Sequence, residues 1–134
     1  MNPKIYRKQI AEIGIEDMVI DVSSLQKAMA TMMELDELEK VLNKIKFNLH
    51  TDIRNLRVEY MQKMQDVDES ANKKGFLGRK KSNEAVVKEK KALKKERSAN
   101  IAAYEIIEDL VNNYLAQIEE SRIYIRNHIQ KKVT

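Results

Sequence analysis

The sequence predicts an all-α protein built on a long, coiled-coil-like antiparallel hairpin of two helices, with a short helix at the N-terminus. Three observations support this fold class. The 134 residues include one proline and three glycines, so few helix breakers are present. Apolar residues recur every three or four positions through two long stretches, which is the spacing of one helix face. Two of the glycines lie together at 75–81, between the stretches.

The segment 1–22 is predicted to hold a short amphipathic helix and a connection. Asn2 is a suitable N-cap and Pro3 fits a first helical turn, while Gly14 suits the position just past the last turn. The apolar face consists of Ile5, Tyr6, Ile10 and Ile13. Residues 15–22 alternate apolar and polar side chains, which is compatible with a short extended connection or with a continuation of the helix.

The first long helix is predicted over 23–74. Ser23 with Gln26 resembles a capping box, in which the hydroxyl accepts a backbone hydrogen bond and the amide reaches back. The helix carries one continuous apolar stripe. The stripe consists of Leu25, Met29, Met32, Leu35, Leu38, Leu42, Ile45, Leu49, Ile53, Leu56, Tyr60, Met64 and Val67.

Residues 75–81 are predicted to form a basic hairpin tip, and 82–132 the second long helix. Ser82 is the expected N-cap, with Glu84 in the positive first turn. A short connection requires the two helices to run antiparallel. If residue i lies level with residue 152 − i, Leu42 meets Leu110, so apolar side chains face each other. We therefore predict a single domain over 1–134.

The second helix has more apolar surface between residues 101 and 118 than one partner helix can cover. Candidates for covering it are the N-terminal segment, a second copy of the chain, or both. A closed helical bundle formed by two hairpins would bury the surplus, so we expect a homodimer. The predicted self-association residues are Ile101, Tyr104, Ile106, Leu110, Tyr114 and Leu115.

Three methionines, Met29, Met32 and Met33, lie close together at the start of the first long helix. Methionine clusters line some adaptable binding grooves, but they fill cores more often. We expect core filling here.

The net charge of +4 is unevenly distributed. Residues 73–97 hold eleven Lys or Arg against three Glu, a net of +8. The simplest interpretation is a solvent-exposed basic surface without a binding role. Its positive charge would be partly neutralised by Glu59, Asp66, Asp68 and Glu69. The alternative is contact with nucleic-acid phosphate or an acidic protein. The candidate polyanion contacts are Lys73, Lys74, Arg79, Lys80, Lys81, Lys88, Lys91 and Lys95.

Catalytic and cofactor motifs are not evident. A carboxylate-bridged metal bundle needs Glu three residues before His, whereas Phe47 precedes His50 and Ile125 precedes His128. No apolar run is long enough to span a bilayer, and Phe76 with Leu77 is too small an apolar pair for a strong membrane anchor. We expect a cytoplasmic, non-enzymatic helical interaction or scaffold protein without a cofactor or metal. A nucleic-acid-binding module that uses the basic tip is the alternative.

Overall fold

The computed structural model describes residues 1–72 and 82–133, and this part of the chain is helical without strands. The elements are α1 (Pro3–Ile13), a 3-10 turn (Ile15–Asp17), α2 (Leu25–Asn72) and α3 (Asn83–Val133). The all-α class is confirmed. Five predicted polyanion contacts lie outside the described residues: Lys73, Lys74, Arg79, Lys80 and Lys81. The predicted hairpin tip over 75–81, with Gly75, Phe76 and Leu77, also lies outside the described residues.

Helix α1 forms as its capping residues predict. The Asn2 side chain accepts a hydrogen bond from the Lys4 backbone N–H at 2.8 Å, and Pro3 occupies the first helical turn. Gly14 ends the helix with φ +70°, a left-handed conformation that glycine adopts without steric cost. Tyr6 and Ile10 form the buried face.

The connection after α1 is neither a continued helix nor a strand. The left-handed Gly14 leads into the 3-10 turn, and Met18 then has extended backbone angles. Val19 is 77% exposed while Met18 and Ile20 are partly buried, which matches the alternation of apolar and polar sides. The helical alternative is wrong because Gly14 stops α1 before residue 15.

The long helices begin at serine caps, one of them a residue later than predicted. Ser24 Oγ accepts from the Lys27 N–H at 3.1 Å, so Ser24 caps α2. The Ser23 capping box is wrong because Ser23 donates its N–H and O–H to Asp21 instead. The Ser82 cap is confirmed, since its Oγ accepts from the Ala85 N–H at 3.2 Å, with Glu84 in the first turn.

The chain divides into two compact units, and α2 and α3 contribute to both. We call Met1–Leu49 with Ile106–Thr134 the three-helix unit, because α1 packs there with α2 and α3. Its core consists of Tyr6, Ile10, Ala28, Leu35, Leu42, Ile45, Leu49, Ile107, Val111, Tyr114, Ile118 and Ile125. The single-domain assignment over 1–134 stays a prediction.

The second unit, His50–Glu105, holds a pair of helices, and we call it the two-helix unit. Its buried apolar side chains are Ile53, Tyr60 and Ile101. Antiparallel packing of α2 on α3 is observed within each unit, so the predicted hairpin packing is confirmed.

The register of that packing differs from the predicted one. In the three-helix unit Asp36 bonds to Arg122, where a 152 − i register would place residue 116. In the two-helix unit Tyr60 bonds to Glu96 rather than meeting residue 92. The error has a physical reason: apolar residues recur every three or four positions along both helices, so apolar side chains can meet at more than one offset.

Candidate interaction surfaces

The six predicted self-association residues are divided between the units and differ in exposure. In the three-helix unit Ile106 is 57% exposed, Leu110 and Leu115 are partly buried, and Tyr114 is buried. In the two-helix unit Ile101 is buried and Tyr104 is partly buried. Several of these side chains are therefore covered within the chain itself.

The N-terminal segment covers Leu110 and Tyr114. Both residues line a narrow cleft of about 260 Å³ together with Ile10 of α1 and the turn that follows it. The Tyr114 hydroxyl donates a hydrogen bond to Glu16 at 2.7 Å. That bond, with burial, raises the pKa of Tyr114. Of the candidates for covering the extra apolar surface of α3, the structure thus shows the N-terminal segment in contact with it.

A groove runs along the junction of α1 and α2 in the three-helix unit, in two parts that share Ile13. One part, of about 490 Å³, is lined by Ile13, Gly14, Met18, Met33, Glu34, Glu37 and Leu38. The other, of about 360 Å³, is lined by Gln9, Glu12, Ile13, Val41, Lys44, Ile45 and Asn48. Both parts lie along the same α1–α2 junction and are lined by apolar and charged side chains, and we call them together the α1–α2 groove.

The methionines do not fill the core of the chain. Met29 is 57% exposed and Met33 is 69% exposed, while Met32 is partly buried. The chain itself does not cover Met29 and Met33, so their filling of a core between two hairpins stays a prediction. Both are exposed because α1 packs on α2 beside them without covering them, so Met33 forms part of the groove wall.

The three-helix unit also holds a buried cation that the sequence reading missed. Arg122 is 9% exposed and donates hydrogen bonds to Asp36 at 2.6 Å, to Glu39 and to Glu119. Burial alone would lower the pKa of Arg122, but the hydrogen bonds to the carboxylates raise it overall. A signal was present, since Arg122 interrupts the apolar stripe between Ile118 and Ile125 at helical spacing.

On the two-helix unit, a row of lysines lies on the outer face of α3. Lys88, Lys91 and Lys95 are exposed, and within the described residues they make no ion pair. Their spacing of three and four residues places them on one helix face.

The acidic residues of α2 are engaged with other groups. Glu59 pairs with Lys63 at 3.5 Å, and Asp68 pairs with Lys90. Asp66 accepts a hydrogen bond from Gln62. Asp68 thus neutralises Lys90, while Glu59 and Asp66 are bonded to side chains of α2 and not to the outward lysines of α3.

Tyr60 links the two helices of the two-helix unit. Its hydroxyl donates to Glu96 at 3.0 Å and accepts from the Asn100 side chain. The Lys63 ammonium lies 4.8 Å from the ring centre, within range of a cation–π contact. Burial first, and then the hydrogen bond to Glu96, raise the pKa of Tyr60.

Residues 1–72 and 82–133 contain neither a metal-binding cluster nor a membrane-spanning helix. No cluster of three or more His, Asp or Glu side chains is placed to hold a metal ion. No helix has the combined length and apolar character needed to span a bilayer.

Comparison with known proteins finds no matching family model, no matching curated protein and no matching solved structure.

Proposed function

We propose that this chain is a cytoplasmic, non-enzymatic α-helical interaction protein that self-associates through its three-helix unit. The observation that carries the proposal is the apolar surface that α1 leaves uncovered. Isolated monomers rarely expose large contiguous apolar patches, and such patches commonly mark contact sites. The exposed apolar residues of the helices in this unit that lie outside the lining of the α1–α2 groove include Met29, Phe47, Ile106 and Ile123.

Light scattering coupled to gel filtration tests the self-association. We expect a dimer at micromolar concentration that the double variant I106E/L115E converts to a folded monomer, because two carboxylates would then lie in the contact. The matched control is V58E/V87E, which places the same charges on exposed sites of the two-helix unit, at 59% and 50% exposure. Far-UV circular dichroism verifies that both variants stay helical. A monomeric unmodified protein would contradict self-association.

A nucleic-acid-binding module is the second candidate function. It is favoured by the Lys88, Lys91 and Lys95 face, because these three lysines are exposed and make no ion pair with the part of the chain that the structure describes. Clustered cations gain affinity for phosphate through the release of counterions. The two candidates use different units of the chain, so one experiment does not decide the other.

A further inference from the structure

We propose that the α1–α2 groove binds a basic amphipathic helix of about four turns, supplied by a partner protein. The inference rests on the proposed interaction function of the three-helix unit. It does not depend on self-association.

The length of the groove sets the length of its occupant. Its lining on α2 runs from Met33 to Asn48, which is sixteen residues, or fifteen helical steps, along one helix. At about 1.5 Å per residue this is about 22 Å, the length of a helix of about 15 residues. The α2 residues that line the two parts follow one another at helical spacing, so a ligand lying along this face of α2 would meet both parts.

The floor of the groove suits the apolar face of a helix. Ile13, Met18, Met33 and Leu38 line one part, and Val41 continues it in the other. Methionine side chains are unbranched and flexible, so they adapt to leucine, isoleucine or phenylalanine on a partner. An amphipathic helix that places apolar residues three and four positions apart fills a groove of this kind.

The charges on the rim select the partner. Glu12, Glu34 and Glu37 line the groove, against one lining cation, Lys44. Lys40 pairs with Glu37 at 3.4 Å, but both side chains are about three-quarters exposed, and such a pair is weak. The excess of carboxylates favours a helix with lysines or arginines beside its apolar stripe, and it repels a polyanion.

A second copy of the chain is a poor occupant of this groove. A two-fold contact that paired the groove with itself would bring Glu34 and Glu37 of one copy close to those of the other. Like charges brought together across an interface are unfavourable. The charge pattern therefore points to a partner of opposite sign.

Fluorescence anisotropy with a labelled synthetic peptide tests the proposal. The probe is an amphipathic peptide of leucine and lysine, about 15 residues long, and we expect an approximately micromolar Kd that weakens as salt rises. The double variant E34K/E37K should reduce its affinity at least about tenfold and should bind the matched leucine–glutamate peptide more tightly. The control is Glu120→Lys, at an exposed position of α3 outside the groove.

A second pair of variants tests the apolar floor. Met33→Lys places a cation in the groove and should weaken the leucine–lysine peptide at least about tenfold. Met61→Lys is the matched control, since Met61 is 59% exposed but belongs to the two-helix unit. Both sites are exposed, so circular dichroism should show unchanged helicity.

The outcomes separate this inference from the proposed function. A monomer that binds the peptide with the expected variant pattern upholds the groove while self-association fails. Absence of saturable binding, or equal weakening by the control variants, overturns the proposal. A dimer that Met33→Lys dissociates, without peptide binding, also overturns it, because a second copy would then occupy the groove.

Discussion

The three-helix and two-helix units bury the same two long helices to different degrees. In the three-helix unit Leu42, Leu49 and Val111 have 0% exposure. In the two-helix unit Leu56, Val86 and Leu93 lie on the same kind of stripe but are only partly buried. Two packed helices leave part of each apolar face in water, whereas a third element closes it. The comparison teaches that most of the buried apolar side chains lie in the unit where α1 packs on the two long helices.

The units also differ in the polar side chains that join α2 to α3. Arg122 is almost wholly enclosed in the three-helix unit and bonds to carboxylates of both long helices. The two-helix unit uses the hydroxyl of Tyr60 for the same purpose, between Glu96 and Asn100. A buried cation needs several partners, while a hydroxyl is satisfied by two.

The largest difference that we expect is in polyanion binding. If the lysine face of α3 serves the two-helix unit as a phosphate contact, K88E/K91E/K95E should abolish duplex DNA binding and leave helicity intact. For the unmodified chain, log K should fall with log salt at about −0.9 for each phosphate contacted. Filter binding or anisotropy across a salt series gives both quantities.

The control for that experiment reverses three cations in the three-helix unit, K4E/K8E/K131E, at positions that are all exposed. It changes the net charge equally. If it weakens binding as much as the α3 variant, the contact is a general charge effect and the two units do not differ. If the binding constant of the unmodified chain did not change with salt, the lysines of α3 would not contact phosphate and would form only a solvent-exposed face.

A smaller effect concerns the stability of the three-helix unit. Arg122→Ala should lower the free energy of unfolding by about 2 kcal/mol, because it removes a packed side chain and leaves three carboxylates close together. We keep the figure below that of a fully buried pair, since Asp36 and Glu119 are each 55% exposed. Urea unfolding followed by circular dichroism measures it.

Arg126→Ala is the matched control for Arg122. Arg126 is 61% exposed and reaches Glu119 at 4.0 Å, so its removal should cost less than about 0.5 kcal/mol. If the two substitutions lowered the free energy of unfolding equally, the burial of Arg122 would add nothing to stability. The two units would then not differ in how polar groups stabilise the helix contact.

The smallest expected effect is a loss of folding stability at alkaline pH. The folded-state pKa values of Tyr60 and Tyr114 are raised, so the folded chain holds these protons more tightly than the unfolded chain. The stabilisation is complete below the unfolded pKa of about 10 and is lost as pH rises through the folded values. Urea unfolding on either side of that pH should show Tyr60→Phe and Tyr114→Phe losing less stability than the unmodified chain.

Tyr124→Phe provides the reference for those two variants, since Tyr124 is 56% exposed. It should follow the unmodified protein across the same pH range. If all three variants behave alike, the loss of stability at high pH comes from groups other than Tyr60 and Tyr114.

Local structure was predictable because it depends on neighbouring residues. Asn2, Gly14 and Ser82 act through caps formed within a few positions, and each was identified correctly from its place beside an apolar stripe. The α2 cap at Ser24 was missed by one residue because Asp21 competes for Ser23, a choice that depends on the fold of the connection.

Long-range features were less accessible. The register failed because apolar residues recur every three or four positions along both helices, so apolar side chains can meet at more than one offset. The ion pair of Arg122 with Asp36 would fix the offset, but recognising it requires the register that it would define. The α1–α2 groove depends on where α1 lies on α2, which periodicity alone does not state.

The exposure of Met29 and Met33 has a consequence for the chemistry of stored protein. The sequence contains no cysteine, so its sulfur atoms are all methionine thioethers, and peroxide will reach exposed ones first. Oxidation to the sulfoxide places a polar oxygen on the groove wall formed by Met33. The protein would keep its helices and its mass to within an oxygen atom or two while losing the apolar character of that wall. Intact-mass spectrometry therefore belongs at the start of every binding measurement on the groove.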